Sequence, residues 1–289
     1  MFNRIECYYR PGSIREALHL LRQGGMPGRV VAGATDIVTQ ADRSTRCLVD
    51  ITHLGLDYIR RNGRGCAIGA TTTMRMLEQS PVIRALAGGI LAKAASTCGS
   101  IQNRHMATVG GNIANASPAA DAALALLALD AQVVVAGPRR SRKIALNEFY
   151  AGPHNTALNG GLLLEVIIPA PPKGGRLGWS FQKLGRTATD ISLVNAAAGL
   201  QADSQGRIKW TRLALGAVGP TPLRARNAEA MLLGKTLDEG LLAQVGTVVM
   251  QEISPISDIR ASAEYRREMS GVLVRRALRE CASQAGFKL

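Results

Sequence analysis

Residues 108–121 read Thr-Val-Gly-Gly-Asn-Ile-Ala-Asn-Ala-Ser-Pro-Ala-Ala-Asp. The paired glycines Gly110 and Gly111 let a ligand approach the main chain closely. Thr108, Asn112, Asn115 and Ser117 add neutral hydrogen-bonding groups. Asp121 adds a carboxylate able to accept from ribose hydroxyls or an adenine amine. The segment from Cys98 to Asp121 shows no helical or strand period, and a long aperiodic loop in a compact domain usually carries function. The plainer reading is a polar loop with a capped helix behind it. The run 122–129 that follows is apolar throughout and reads as that helix.

Working towards the N-terminus, a second segment has the same character. Arg29-Val30-Val31-Ala32-Gly33-Ala34-Thr35-Asp36-Ile37 is a buried strand, a turn of small residues and a helix start. Small side chains there would let amides reach phosphate oxygens. An ordinary strand–helix turn would look the same. A capping box at Ser13–Glu16 predicts a helix over 13–23, stopped by Gly24-Gly25. A second strand is expected over 47–51, so the first fifty residues read as a β-α-β-like unit.

Asn62-Gly63 predicts a hairpin between residues 58–59 and 66–69. Thr72 and Ser80-Pro81 read as helix starts, with a helix over 81–96. Strands are expected over 131–136 and 162–168. The cluster 169–175, Pro-Ala-Pro-Pro-Lys-Gly-Gly, is the best domain boundary. Beyond it lie candidate strands over 179–184, 192–201 and 207–216, two or three helices, and a last helix over 261–283 whose arginines decorate its outer face. The expected fold class is α+β. Residues 1–175 form one domain, with subdomains of about 1–55 and 56–175. Residues 176–289 form another, of antiparallel sheet and helices.

Several chemistries are excluded by spacing. The five cysteines, Cys7, Cys47, Cys66, Cys98 and Cys281, are scattered, which argues against a zinc ribbon or an iron–sulfur site in this chain and predicts structural, reduced thiols. Gly234-Lys235-Thr236 resembles the end of a P-loop, but Glu229 stands where the leading glycine belongs. No G-x-G-x-x-G or G-x-S-x-G occurs, and no metal site or catalytic residue is expected. With 46% apolar and 19% charged residues in 289, the chain can bury a core. No run is long enough to span a membrane and no signal peptide is evident, which predicts a cytoplasmic protein. The net charge of +14 raises nucleic-acid binding as one reading, but only 4% of residues are aromatic and the arginines are dispersed. The pairs Arg139-Arg140, Arg266-Arg267 and Arg275-Arg276 read as solvated surface.

Five stretches together resemble one family: VVAGATDI (30–37), TVGGNIANASPAADAALALLALDA (108–131), FQKLGRTATDISLVNAAAGL (181–200), PTPLRARNAEAMLLG (220–234) and AEYRREMSGVLVRRAL (263–278). This is the FAD-binding medium subunit of molybdenum hydroxylases, of the xanthine dehydrogenase and carbon monoxide dehydrogenase type. The resemblance implies a fold like that of p-cresol methylhydroxylase and vanillyl-alcohol oxidase, with two α/β subdomains holding FAD and a C-terminal α+β domain. It implies FAD contacts from Arg29, Val30, Val31, Ala32, Gly33, Ala34, Thr35 and Asp36. The second segment would add Thr108, Gly110, Gly111, Asn112, Asn115, Ser117 and Asp121, with further contacts from Leu163 and Lys183. Ala34 departs from the family's usual glycine, and alanine is unfavourable if that turn needs a positive φ.

The same resemblance implies partners: a molybdopterin-binding large subunit and a 2Fe–2S small subunit, with no nucleic acid and no membrane span. Electrons would pass from the iron–sulfur clusters to FAD and on to NAD+ or another acceptor, in a xanthine dehydrogenase-like complex. The positive surplus would partly offset the FAD pyrophosphate and partly face acidic partner surfaces. The competing readings are a stand-alone flavin-dependent oxidoreductase and a basic nucleic-acid-binding protein.

Overall fold

A computed structural model describes residues 5–22, 28–40 and 44–287. The chain opens with β1 (Cys7–Tyr9), α1 (Ile14–Leu20), β2 (Gly28–Val31), α2 (Thr35–Gln40) and β3 (Cys47–Asp50). β3 lies between β1 and β2 and runs parallel to both. Ser13 Oγ accepts from the Glu16 amide at 3.2 Å and so caps α1. Ala17 and Leu18 of that helix pack with Val49, Ile51 and Leu162. The expected helix end near Gln23 and its stop at Gly24-Gly25 lie outside the described residues.

Next come β4 (Ile59–Asn62), β5 (Gly65–Gly69), α3 (Met74–Gln79), α4 (Pro81–Ala85), α5 (Ile90–Ser96), α6 (Ile101–Met106), α7 (Val109–Ala114) and α8 (Asp121–Ala128). They are followed by β6 (Gln132–Ala136), β7 (Ser141–Ala145), α9 (Leu146–Phe149), β8 (Tyr150–Gly152), β9 (Asn155–Thr156) and β10 (Leu162–Ile168). An antiparallel sheet forms in the order β4-β5-β10-β6-β7. Helix α8 is buried at every position, as a helix apolar on all sides must be.

The rest of the chain is β11 (Arg176–Leu184), β12 (Val194–Ala202), β13 (Ile208–Gly216), β14 (Leu223–Arg224), α10 (Arg226–Leu232), α11 (Glu239–Glu252) and α12 (Ala263–Gln284). The four strands are antiparallel neighbours in chain order. β12 is buried along its whole length. Because side chains alternate across a strand, Ala197 joins the core that contains α8, while Ala196, Ala198 and Leu200 join the core that contains α12. This is the α+β architecture read from the sequence. No helix among the described residues is long and apolar enough to cross a membrane.

Several expectations are corrected. The helix expected over 81–96 is broken, because Gly88 and Gly89 take φ of 61° and 73° between α4 and α5. The cap of α3 is Thr73, whose Oγ1 accepts from Met76 N at 3.1 Å. Thr72 is instead buried and donates to the Tyr58 carbonyl. The aperiodic segment 98–121 contains α6 and α7, capped by Ser100 and Thr108. Each has six residues, too few to display a 3.6-residue apolar repeat.

The five cysteines are not all thiols. Cys7 and Cys47 are register partners on β1 and β3, with Cα atoms 4.7 Å apart, and are joined as a disulfide. Their sequence separation of 40 carries no trace of that pairing. Burial pushes the Cys66 thiol up to about 11 and the Cys98 thiol up to about 12, so both stay protonated at neutral pH.

Some of the arginines read as surface are structural. Arg266 is only 2% exposed. Its Nη1 donates to the Leu193 carbonyl at 2.5 Å and its Nη2 to Asp258 at 2.9 Å. Arg267 Nη1 donates to the carbonyls of Met250 and Ile253. Arg139 and Arg140 are exposed, as expected. Glu229 is the buried partner of Arg224, which rationalises a carboxylate at that position.

Candidate functional site

A cavity of about 390 Å³ opens between the first sheet and α7. One wall is the path from β2 into α2, residues 28–37. The opposite wall is the entry into α7, Ala107 to Asn115. Leu158 and Gly160 to Leu163, leading into β10, form part of the lining. The walls meet at Gly33. A Cβ built there would overlap the Met106 carbonyl group, and Ala107 Cα lies 3.1 Å from the same point. Gly110 is equally confined, since a Cβ would stand 2.6 Å from the Ala70 carbonyl oxygen. These two glycines therefore bring backbone against backbone.

Gly111 differs. A Cβ on it would meet only Thr108 Oγ1, at 3.0 Å, with nothing else within 4 Å. Thr108 Oγ1 also accepts from Gly111 N at 3.1 Å and starts α7. Asn112 Oδ1 accepts from Ala123 N at 3.1 Å, which ties α7 to α8. Thr35 to Ile37, the first turn of α2, line the cavity, and their amides have no partner within their own helix. Asp36 stands beside them. Burial pushes its carboxyl above the ordinary value, against the opposing pull of Arg29 and His154.

All the expected contact residues except Val31, Ser117, Asp121 and Lys183 line this cavity. Val31 is buried and is not part of the lining. Asp121 must be reread. Its Oδ1 accepts from Ser192 Oγ and Asn195 Nδ2, each at 2.6 Å. Its Oδ2 accepts from Lys183 Nζ at 2.7 Å, and Thr97 Oγ1, whose proton goes to the Ala94 carbonyl at 2.8 Å, lies 3.2 Å away. Asp121 is thus buried, engaged by Ser192, Asn195 and Lys183, and outside the cavity lining, so it is not placed to meet ribose or adenine. Lys183 is correspondingly held between Asp121 and the Thr97 carbonyl.

The sequence reading missed Ile37, Ile51, Ala70 and the pair Gly160-Gly161. The glycine pair before a strand was the available signal. Gly160 takes a φ of +70°, and at Gly161 a Cβ would come 2.6 Å from the Ala136 carbonyl oxygen.

The cavity suits a dinucleotide with a central diphosphate. It offers main-chain and hydroxyl donors, small side chains and two walls held apart by packed glycines. A family model described as "FAD binding domain in molybdopterin dehydrogenase" matches residues 1–171. A second, "CO dehydrogenase flavoprotein C-terminal domain", matches residues 179–281. The chain belongs to the FAD-binding medium-subunit family of molybdenum hydroxylases.

Relatives match it from end to end. The carbon monoxide dehydrogenase medium chain of Afipia carboxidovorans is 34% identical, over 96% of this chain and 97% of its own. The xanthine dehydrogenase FAD-binding subunit of Escherichia coli O157:H7 is 31% identical, over 98% of each. A crystal structure of Cu,Mo-CO dehydrogenase in its cyanide-inactivated form superposes with a TM-score of 0.91 at 32% identity, covering 97% of this chain and 99% of that one. This flavoprotein subunit is thus of the xanthine and carbon monoxide dehydrogenase type, and its cofactor is FAD.

Ala34 has the φ anticipated for a glycine, +58°. A left-handed alanine costs about 1–2 kcal/mol, part of which glycine's extra unfolded-state entropy offsets. Ala34→Gly is therefore expected to raise the melting temperature of the chain by about 2 °C. A scan showing no rise, or a fall, would mean that this turn does not strain alanine.

Proposed function

We propose that this chain is the electron-carrying subunit of a xanthine dehydrogenase-like molybdenum hydroxylase. It works beside a molybdopterin-binding large subunit and a 2Fe–2S small subunit, and NAD+ or another acceptor takes the electrons. The observation that carries this reading is the cavity itself, built from two glycine-bearing walls that coincide with the family's two motifs. Bound FAD supplies reversible one- and two-electron transfer. The protein's own part is to hold it. The first turn of α2 and the Thr108-capped start of α7 would hold the diphosphate, while Gly33 fixes the spacing of the walls and Gly110 seats α7 against Ala70.

The organic substrate is selected on another chain. Relatives named for carbon monoxide, xanthine and glyceraldehyde match this one at 34%, 31% and 31% identity. A flavin carrier shared among such different substrates has no reason to read any of them. We divide the chain at residue 175. The family matches end at 171 and resume at 179, and β11 starts at Arg176, which supports that division.

The test is purification of the chain from its host at native abundance. Expected is a flavin absorbance band, with a large molybdopterin-containing chain and a small cysteine-rich chain in the same complex. A chain that carries no flavin and takes none up overturns the cofactor assignment. A flavin-loaded chain that purifies alone and turns over a small substrate by itself overturns the partners in favour of a stand-alone oxidoreductase.

A further inference from the structure

The two walls of the cavity are fastened twice. At the base the fastening is main chain, Gly33 lying on the Met106–Ala107 peptide. At the rim it is made by side chains. Arg29 Nη2 donates to Gln40 Oε1 at 2.6 Å, and Gln40 Nε2 donates to Asn115 Oδ1 at 2.7 Å. Arg29 and Asn115 line the cavity from opposite walls, whereas Gln40 is not part of the lining. His154 braces the far end. Its Nδ1 lies 2.8 Å from the Asn115 carbonyl oxygen, and its amide donates to the Ala116 carbonyl at 3.3 Å.

The two fastenings differ in kind. The base cannot part without shifting the α6–α7 connection, which is held by bonds from Met74 N to Ala107 O at 2.8 Å and from Val109 N to Thr72 O at 2.9 Å. The rim bonds join an exposed Gln40 to half-buried Arg29 and Asn115. Such bonds are individually weak and their side chains change rotamer within nanoseconds. A ligand entering between these walls therefore meets one fastening that yields and one that does not.

We infer that Arg29, Gln40 and Asn115 form a strap across the cavity rim that opens to admit FAD and closes behind it. Gln40 is its central positioning residue and His154 its brace. This rests on the FAD reading of the cavity. Gln40 acts through Arg29 and Asn115, by setting the separation of the walls at the rim.

The experiment follows FAD release from the full chain, as recovery of free-flavin fluorescence after dilution, together with the melting temperature of the FAD-free chain. Gln40→Ala is expected to release FAD about tenfold faster, with the FAD-free melting temperature within about 1 °C of the parent. Gln40→Met keeps the length of the side chain but neither donates to Asn115 nor accepts from Arg29, so it should release FAD as fast as Gln40→Ala. His154→Ala should accelerate release by about threefold. Release from Gln40→Ala within twofold of the parent overturns the strap. So does parental behaviour of Gln40→Met, which would show that neither rim bond is needed. A fall in the FAD-free melting temperature large enough to account for the faster release assigns Gln40 to the folding of α2 and also overturns it. A parent chain that never holds FAD is a different result, because it removes the cofactor reading and the strap with it.

Discussion

Gly33→Ala will weaken FAD binding at least about a hundredfold, or roughly 2.7 kcal/mol. The added methyl would occupy the position of the Met106 carbonyl group and press on Ala107 Cα. Neither neighbour is a side chain that can swing away. Ala107 is held on both sides, its amide donating to the Asn103 carbonyl at 2.7 Å and its carbonyl accepting from Met74 N at 2.8 Å. The strain must therefore appear as a movement of one cavity wall from the other, and overpacking of this kind commonly costs about 1–3 kcal/mol in stability as well. Titration of the FAD-free chain with FAD, read by quenching of flavin fluorescence, measures the loss. Gly111→Ala is the comparison, because Thr108 Oγ1 is the neighbour that a Cβ there would meet, at 3.0 Å. It should fold like the parent and lose affinity only where the cofactor itself approaches. A Gly33→Ala chain that binds FAD within threefold of the parent would show that the walls are not set by this contact.

Asp121→Ala is expected to destabilise the chain by about 3–5 kcal/mol, the usual cost of stranding a buried charge. The Asp121 carboxylate is 5% exposed and the Lys183 side chain 10%. Removing the carboxylate leaves the ammonium donating to the Thr97 carbonyl alone among the described residues, and leaves Ser192 and Asn195 without their acceptor. The damage falls at a junction, since Asp121 starts α8 while Lys183 lies on β11 and Asn195 on β12. Replacing both charges, as in Asp121→Leu with Lys183→Met, should recover part of the loss, because a buried ion pair exchanged for apolar groups is often neutral. Urea unfolding of Asp121→Leu, Lys183→Met and the double variant decides the matter. A double variant no more stable than the sum of the singles predicts would mean that the two charges do not act as a pair.

The electrostatic picture began from a surplus of +14. The buried arginines do not supply it, because each is offset by a carboxylate. The side chains of Arg104, Arg224 and Arg266 are 11%, 5% and 3% exposed and are ion-paired with Glu78, Glu229 and Asp258. At Asp258, burial pushes the carboxyl up, but hydrogen bonds from Arg260 and Arg266 outweigh it and hold it well below the usual carboxylate range. These arginines organise loops and strand ends, and only the exposed remainder, such as Arg139 and Arg140, is available to partners.

What could be read from the sequence was whatever depends on neighbours along the chain. The Ser13 cap, the Asn62-Gly63 hairpin, the apolar run of α8 and the strand 162–168 are local patterns, and each appears in the structure. The glycines of the two binding segments were legible for the same reason, since a missing side chain is a property of one residue. Tertiary structure alone decided what those residues press against. It placed Gly33 on Met106, made Asp121 an internal anchor rather than a ligand acceptor, buried Arg266 beneath three loops and set Cys7 beside Cys47. Each of these depends on two segments many residues apart arriving at the same point. Burial, charge pairing and backbone contact are properties of that meeting, and no one-dimensional pattern contains them.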